Sequence, residues 1–356
     1  MNKTVAVIFG GVSSEHEVSL MSVTSVLHNI DRTRYTPLAV GITKAGAWKL
    51  FSGDVALIAD GSWEQDSKQL ADCVLSPDRR HHGLLVAGDN GWQAVPVEIV
   101  YPVLHGKNGE DGTVQGLLEL SGLPYVGDGV LASACCMDKD FTHRLLTAAG
   151  VPNAHWITVR RGSYELKELQ QRVGQQLGYP VFVKPANAGS SVGVSKVDAP
   201  GALAEALETA FAQDYKVLIE EMLHGAEVEC AVLGNDDPVA SAVVGEVVPV
   251  RGLYDYEGKY KDGSTALYIP ARINEGQTAA IRELAVRAYR ALECAGLARI
   301  DFFALTDGKR VVLNEINTMP GFTNISMYPK LFIASGMSYT DMITRLLELA
   351  EADCKQ

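Results

Sequence analysis

Ala298-Arg299-Ile300-Asp301-Phe302-Phe303-Ala304-Leu305 and Arg310-Val311-Val312-Leu313-Asn314-Glu315-Ile316-Asn317, joined through Asp307-Gly308, read as the two strands of a β-hairpin. Glu315 and Asn317 are two apart, so both point to one face. Asp301 lies opposite Glu315 on that face only if the loop is odd in length. A three-residue loop of Asp307, Gly308 and Lys309 pairs Thr306 with Arg310, and hence Asp301 with Glu315. A two-residue turn pairs Asp301 with Asn314 and scatters the set. Three oxygen ligands, two of them anionic, with no Cys or His among them, suit Mg2+ held together with phosphate oxygens. An ordinary hairpin with a polar solvent face accounts for the same residues, and the hairpin alone does not separate the two readings.

Upstream, Lys184-Pro185-Ala186-Asn187-Ala188-Gly189-Ser190-Ser191-Val192-Gly193 follows the apolar run Val181-Phe182-Val183. Small residues let successive backbone N–H groups close on phosphate oxygens, and a Lys at the strand end supplies countercharge. The loop runs from strand to strand, so it is not a Walker loop, and a flexible hairpin loop is the plainer alternative. At the start, Val5-Ala6-Val7-Ile8-Phe9 closed by Gly10-Gly11 suits a buried parallel strand. A helix from Glu17 to Ile30 and a strand from Thr36 to Ile42 follow, the opening of an α/β domain. No G-x-G-x-x-G follows the first strand.

The segment from Gly53 to about Gly91 is polar and poorly periodic, and is expected to include surface excursions. Val95 to Leu104 is strand-like, and a helix is expected around Met137 to Ala149 with Phe141, Leu145 and Ala149 on its apolar face. Further strands are expected at 192–197, 217–220, 230–233 and 242–248, and helices at 200–211, 277–295 and 340–350. The division is into three domains, 1–126, 127–225 and 226–356, of mixed α/β and α+β class.

At roughly 100–200 residues per domain, 356 residues agree with that division. Apolar residues at 47% and charged residues at 21% exclude disorder, collagen and a disulfide scaffold. Lys and Arg number 31 against 43 Asp and Glu, a net charge of −12, so no broad basic surface invites nucleic acid. No apolar run reaches the ~18 residues of a membrane span. The six cysteines contain no C-x-x-C pair, and the start reads too short for a signal peptide. A cytoplasmic protein with reduced thiols is expected. Glu220 ends an apolar strand, where its carboxylate suits the amino group of a base, and Glu227 suits ribose hydroxyls. Solvated surface acids explain both as well. Asp111 and Thr113 precede a helix and read as N-cap residues.

Taken in order, the motifs resemble those of the D-alanine–D-alanine ligases of the ATP-grasp superfamily. They are Gly10-Gly11-Val12-Ser13-Ser14-Glu15-His16-Glu17-Val18-Ser19, His105-Gly106 with Gly109-Glu110-Asp111-Gly112, and Met137-Asp138-Lys139. Lys184-Pro185 through Gly193, Arg299-Ile300-Asp301, Asn314 through Asn317, and Pro320-Gly321 through Tyr328-Pro329 complete the set. The resemblance implies a three-domain ATP-grasp architecture with an N-terminal Rossmann-like domain. It implies a ligase in which ATP phosphorylates one D-alanine and the amine of a second attacks the acyl phosphate. Lys139, Lys184, Gly189, Ser190 and Ser191 would then contact ATP phosphates. Glu220, Glu221, Leu223 and Phe303 would surround the base, Glu227 the ribose, and Lys259 and Asn314 further parts of the nucleotide. Asp301, Glu315 and Asn317 would bind two Mg2+, with Mn2+ as an alternative and a monovalent cation as an activator.

By the same resemblance, Glu15 pairs with the ammonium of the first D-alanine beside His105. Arg299 and the Gly321 N–H stabilise the oxyanion, and Ser326 and Met327 lie at the second D-alanine. The Arg251–Thr265 segment would be a lid whose Tyr260 bonds to Ser190, and Ser190 to Glu15. A homodimer without nucleic-acid or membrane partners is implied. The nearest rivals join D-alanine to D-lactate or D-serine; Lys259-Tyr260 and the apolar Met327 favour D-alanine. A non-catalytic ATP-binding protein on this fold would be expected to lose a metal ligand or Arg299, and none is missing.

Overall fold

The computed structural model describes residues 2–65, 67–189, 191–249 and 265–352. Most of the expected lid, including Lys259 and Tyr260, lies outside the described residues, as does Ser190. The first body contains β1 (Lys3–Gly10), α1 (His16–Asn29), β2 (Tyr35–Ile42), β3 (Trp48–Phe51), α2 (Val55–Ala59), β4 (Leu70–Leu75), β5 (Gly83–Gly88), β6 (Gly91–Pro96), β7 (Ile99–Pro102) and α3 (Thr113–Ser121). Its seven strands run in the order β6-β5-β4-β3-β2-β1-β7, with β1 parallel to β2 and β7.

Two sequence expectations need correction in this body. The segment from Gly53 to Gly91, where the sequence pattern assigns no regular element, supplies α2, β4 and β5. Its apolar signal is short alternation, Cys73 and Leu75 buried on β4 and Leu84 on β5, too brief to stand out. Val95 to Leu104 is not one strand. Pro96 ends β6, and Glu98 N–H instead bonds to the Thr4 carbonyl, which starts β7 beside β1.

Next come α4 (Val130–Met137), α5 (Lys139–Ala148), β8 (Trp156–Arg160), α6 (Leu166–Gln176), β9 (Val181–Pro185), β10 (Ser195–Val197), α7 (Leu203–Phe211) and β11 (Lys216–Glu221). Their antiparallel sheet has the order β10-β9-β11-β8. The helix expected around Met137 to Ala149 is α5, which begins just past Asp138, whose side chain accepts from the N–H groups of Asp140 and Phe141 and so caps it. Its buried face is different. Asp140, Thr142, His143 and Leu146 are buried, whereas Phe141 is exposed and lies over the Lys216 ammonium, 4.8 Å from ring centre to Nζ. Lys216 itself is buried and paired with Asp138.

The third sheet contains β12 (Gly225–Leu233), β13 (Val239–Ala240), β14 (Gly245–Pro249), β15 (Thr265–Tyr268), β16 (Leu297–Leu305) and β17 (Val311–Asn317). Strand order is β15-β14-β12-β16-β17, with β13 paired to β12. The helix α8 (Glu275–Ala291) packs on it, and α9 (Met327–Ala334) and α10 (Tyr339–Ala352) end the chain. The hairpin brings Asp301 opposite Glu315, but not through an odd loop. Leu305 N–H bonds to the Arg310 carbonyl, leaving an even, four-residue loop, Thr306 to Lys309. Phe302 pairs with Leu313 while Asp301 pairs with Glu315, so Asn314 is a bulge that restores the alignment.

The last two helices pack back on the first body. Met342, Leu346 and Leu347 of α10 are fully buried in one core with Val26 of α1 and Ile99 and Tyr101 of β7. This joins the ends of the chain. Leu346→Ala should therefore lower stability by about 2–5 kcal/mol, measured as a reduced urea midpoint, and a loss under about 1 kcal/mol would contradict the shared core.

Candidate functional site

Pairing in the third sheet puts Glu229 of β12 beside Asp301 of β16, and Asp301 beside Glu315 of β17. Three carboxylates thus lie side by side. Arg299, two residues from Asp301 on the same face, answers them. Its Nε and Nη2 donate to the two Asp301 oxygens at 2.8 and 2.7 Å, and Glu229 Oε2 is 3.0 Å from Nε. Asn317 Nδ2 donates to Asp301 Oδ2 at 3.0 Å.

The acidic row separates two cavities of about 440 and 430 Å3, both bordered by Lys139, Ala188, Glu229 and Glu315. The first is lined by Glu15, His105, Gly189, Arg299, Gly321, Ser326 and Met327, with Asn317 at its edge. The second is lined by Lys184, Ser191, Glu220, Glu221, Leu223, Glu227, Asp301, Phe303 and Asn314. Every described residue that the sequence singled out for ATP, substrate or metal therefore borders one cavity or the other.

In the second cavity, Lys184 Nζ is 2.6 Å from Glu220 Oε2, and His143 Nε2 is 3.1 Å from Glu220 Oε1. The His143 ring stacks on Trp156 at 4.9 Å. Burial alone would raise the Glu220 carboxyl, but Lys184 and then His143 outweigh it and hold it down at about 2. Lys139 opens α5, and its Nζ donates to the Ala188 carbonyl at 2.7 Å. That contact ties the lysine to the glycine-rich loop.

In the first cavity, two glycines make room for Glu15. A Cβ on Gly106, whose φ is +68°, would lie 2.4 Å from Glu15 Oε2, and one on Gly189 would lie 2.9 Å from it. Met319, in the turn before Gly321, is held at both backbone groups. His105 Nδ1 contacts its carbonyl at 2.9 Å, and Glu110 Oε1 accepts from its N–H at 3.2 Å. Phe322 N–H donates to Ser22 Oγ, which is 3.0 Å from His105 Nε2. The chain of donors is consistent with a neutral His105 protonated at Nδ1. Burial lowers the His105 pKa, and burial together with Glu15 raises the Glu110 carboxyl to about 8. Ser326 precedes the first turn of α9 and its hydroxyl is 2.8 Å from that of Thr323, so an anion bound there meets a helix N-terminus.

Three residues of the site were not singled out. Glu229 stands two from Glu227 on a strand, so the parity that pairs Glu315 with Asn317 also aligns these two. Glu110 lies within the His105–Gly112 motif, but its half-buried contact with Met319, 209 residues away, has no local signal. His143 was hidden by the misplaced apolar face of α5.

The described residues offer no closed cage of three His, Cys, Asp or Glu side chains. Asp301, Glu315 and the Asn317 amide nevertheless form an all-oxygen set, incomplete in the way expected of an ion that also takes phosphate oxygens. They fit a hard divalent cation, provided that Arg299 gives up part of its hold on Asp301.

Residues 4–128 match the family profile of the D-ala D-ala ligase N-terminus, and residues 145–348 that of the D-ala D-ala ligase C-terminus. The chain belongs to the D-alanine–D-alanine ligase family. A D-alanine–D-alanine ligase from Caldicellulosiruptor bescii is 49% identical over 348 residues, 97% of this chain and 94% of that one. D-alanine–D-alanine ligase A of Escherichia coli K12 is 47% identical, covering 97% and 95%. Among solved structures, a D-Ala:D-Ser ligase from Enterococcus faecalis superposes with a TM-score of 0.89 at 41% identity over 98% of this chain and all of that one. The D-alanine–D-alanine ligase from Coxiella burnetii gives 0.87 at 33% identity, covering 99% and 96%. The three sheets are accordingly those of an ATP-grasp ligase, and membership of this family implies ATP and a divalent metal ion as participants.

Glu220 provides a pH test of the nucleotide side of this ligase site. Its folded-state pKa of about 2 lies below its ordinary 4.5, so its stabilising effect is full above pH 4.5 and is lost as pH falls toward 2. Glu220→Gln should cost about 3 kcal/mol at pH 7. The deficit should shrink steadily below pH 4.5 in urea titrations; a deficit that is independent of pH would contradict the Lys184–Glu220 pairing.

Proposed function

We propose that the chain joins two D-alanines to D-alanyl-D-alanine, with ATP converted to ADP and phosphate. The observation that carries this reading is the junction of the two cavities at Lys139 and Glu315, with Glu15, Arg299 and Gly321 on one side and Lys184 and Glu220 on the other. One cavity suits a nucleotide, the other two small zwitterions, and the γ-phosphate belongs between them.

Glu15 accepts the ammonium of the first D-alanine, turning its carboxylate toward the junction. An oxygen of that carboxylate bonds to the γ-phosphorus as the bond to the ADP oxygen breaks. Lys139 and Lys184 offset the phosphate charge. Asp301, Glu315 and Asn317 would hold two Mg2+ ions, or Mn2+ in their place, and such ions would neutralise charge on the transferring group. The second D-alanine lays its carboxylate at the N-terminus of α9 by Ser326, with Met327 beside it. Its amine attacks the acyl carbon, loses a proton, and phosphate leaves. Arg299 and the Gly321 N–H receive the negative charge of the tetrahedral stage. Met327 lies so close that a Cβ on Gly245 would be 2.3 Å from its Sδ, which keeps that wall apolar.

Tyr260 and Ser190 would close a lid over Glu15 and shield the acyl phosphate from water. The proximity of Gly189 to Glu15 supports the Ser190 end of that network. The product serves peptidoglycan precursor synthesis, in the cytoplasm and in a homodimer. No described helix is long and apolar enough to cross a membrane.

Phosphate release with purified protein, ATP and Mg2+ tests the substrate. D-alanine alone should suffice at neutral pH, and a requirement for D-lactate or D-serine would overturn the assignment. Glu315→Gln should cost several orders of magnitude in turnover with unchanged circular dichroism; retention of about a tenth of the activity would rule Glu315 out as a metal ligand. Tyr260→Ala should release more than one phosphate per dipeptide formed, and tight coupling near the wild-type rate would remove Tyr260 from the lid.

A further inference from the structure

Arg299 serves two carboxylates on different strands. Its Nε and Nη2 make a two-point contact with Asp301, while Glu229 Oε2 lies 3.0 Å from the same Nε. All three side chains are largely buried, with Glu229 the most so. A carboxylate whose two oxygens face a guanidinium cannot also give them fully to a divalent ion, so guanidinium and metal compete for Asp301. An arginine that leaves Asp301 inside a buried site needs another anion to receive it. Glu229 is in register with Asp301 and borders both cavities, which is the position such an acceptor must have.

We propose that Glu229 is a positioning residue that receives Arg299 when Asp301 turns to a divalent metal ion. The inference rests on the metal reading of Asp301 given above. It makes metal uptake and the release of Arg299 toward the reacting carboxylate two sides of one exchange. Without Glu229, Arg299 remains on Asp301 and holds the metal off.

A simpler alternative is that Glu229 merely adds negative field at the metal. The two are separated by Mn2+ titration, read by electron paramagnetic resonance, of protein saturated with a non-hydrolysable ATP analogue. Glu229→Gln should weaken Mn2+ binding roughly ten- to hundredfold. In an Arg299→Met background, where the competitor is gone, the same change should alter it by less than about threefold. An equal loss in both backgrounds, or no loss with arginine present, overturns the proposal. Glu229→Ala is measured alongside with thermal melts of each variant, so that misfolding of one does not stand for a result. Asp301→Asn separates the two layers: if it leaves Mn2+ binding intact, the metal reading falls. If it abolishes binding while Glu229→Gln does not weaken it, the role of Glu229 alone falls.

Discussion

Three carboxylates on three adjacent strands, with one arginine among them, are the constraint around which this molecule is arranged. Glu229, Asp301 and Glu315 are brought side by side by backbone pairing, not by side-chain attraction. Such a row is costly unless cations answer it. Arg299 supplies one positive charge, and Lys139 reaches the edge of the same junction. The remaining negative charge is a standing demand for a divalent ion, and it lies where the two cavities meet.

The other bodies supply what that junction lacks. The second sheet brings Lys184, locked against Glu220, and the loop tied to Lys139. The first brings Glu15 at the head of α1, and grips the turn before Gly321 through His105, Glu110 and Ser22. That turn leads to Gly321, whose N–H is the donor proposed for the oxyanion, and its orientation depends on contacts made by a distant part of the chain. The packing of α10 on the first body holds the same two regions together from behind. Stability and site geometry are thus secured by the same interface.

Much of this was legible in the residues. The hairpin, the glycine-rich loop and the opening strand–helix–strand each carry a local pattern, and their ordered motifs carry the family. Loop parity alone ties Asp301 opposite Glu315 to an odd loop, whereas an even loop and a bulge at Asn314 give the same alignment. Bulges leave no periodic trace. The helix α5 lies where its pattern puts it, but Phe141, on the face read as apolar, covers a lysine instead of a core. Glu110 and Glu229 act through partners far away in sequence, and only Glu229 had a usable signal in strand parity. Where burial is decided by another body, as for His105 and Met319, one segment read by itself holds too little information.

In the proposed reaction, phosphate passes to the carboxylate of a D-alanine before the peptide bond forms. That step is tested most directly with D-alanine carrying oxygen-18 in its carboxylate, incubated with ATP, the divalent metal and the protein, and the released phosphate analysed by mass spectrometry. Attack on the γ-phosphorus by the carboxylate predicts one labelled oxygen in each phosphate formed from labelled substrate. Phosphate free of label, released in step with dipeptide, would contradict it.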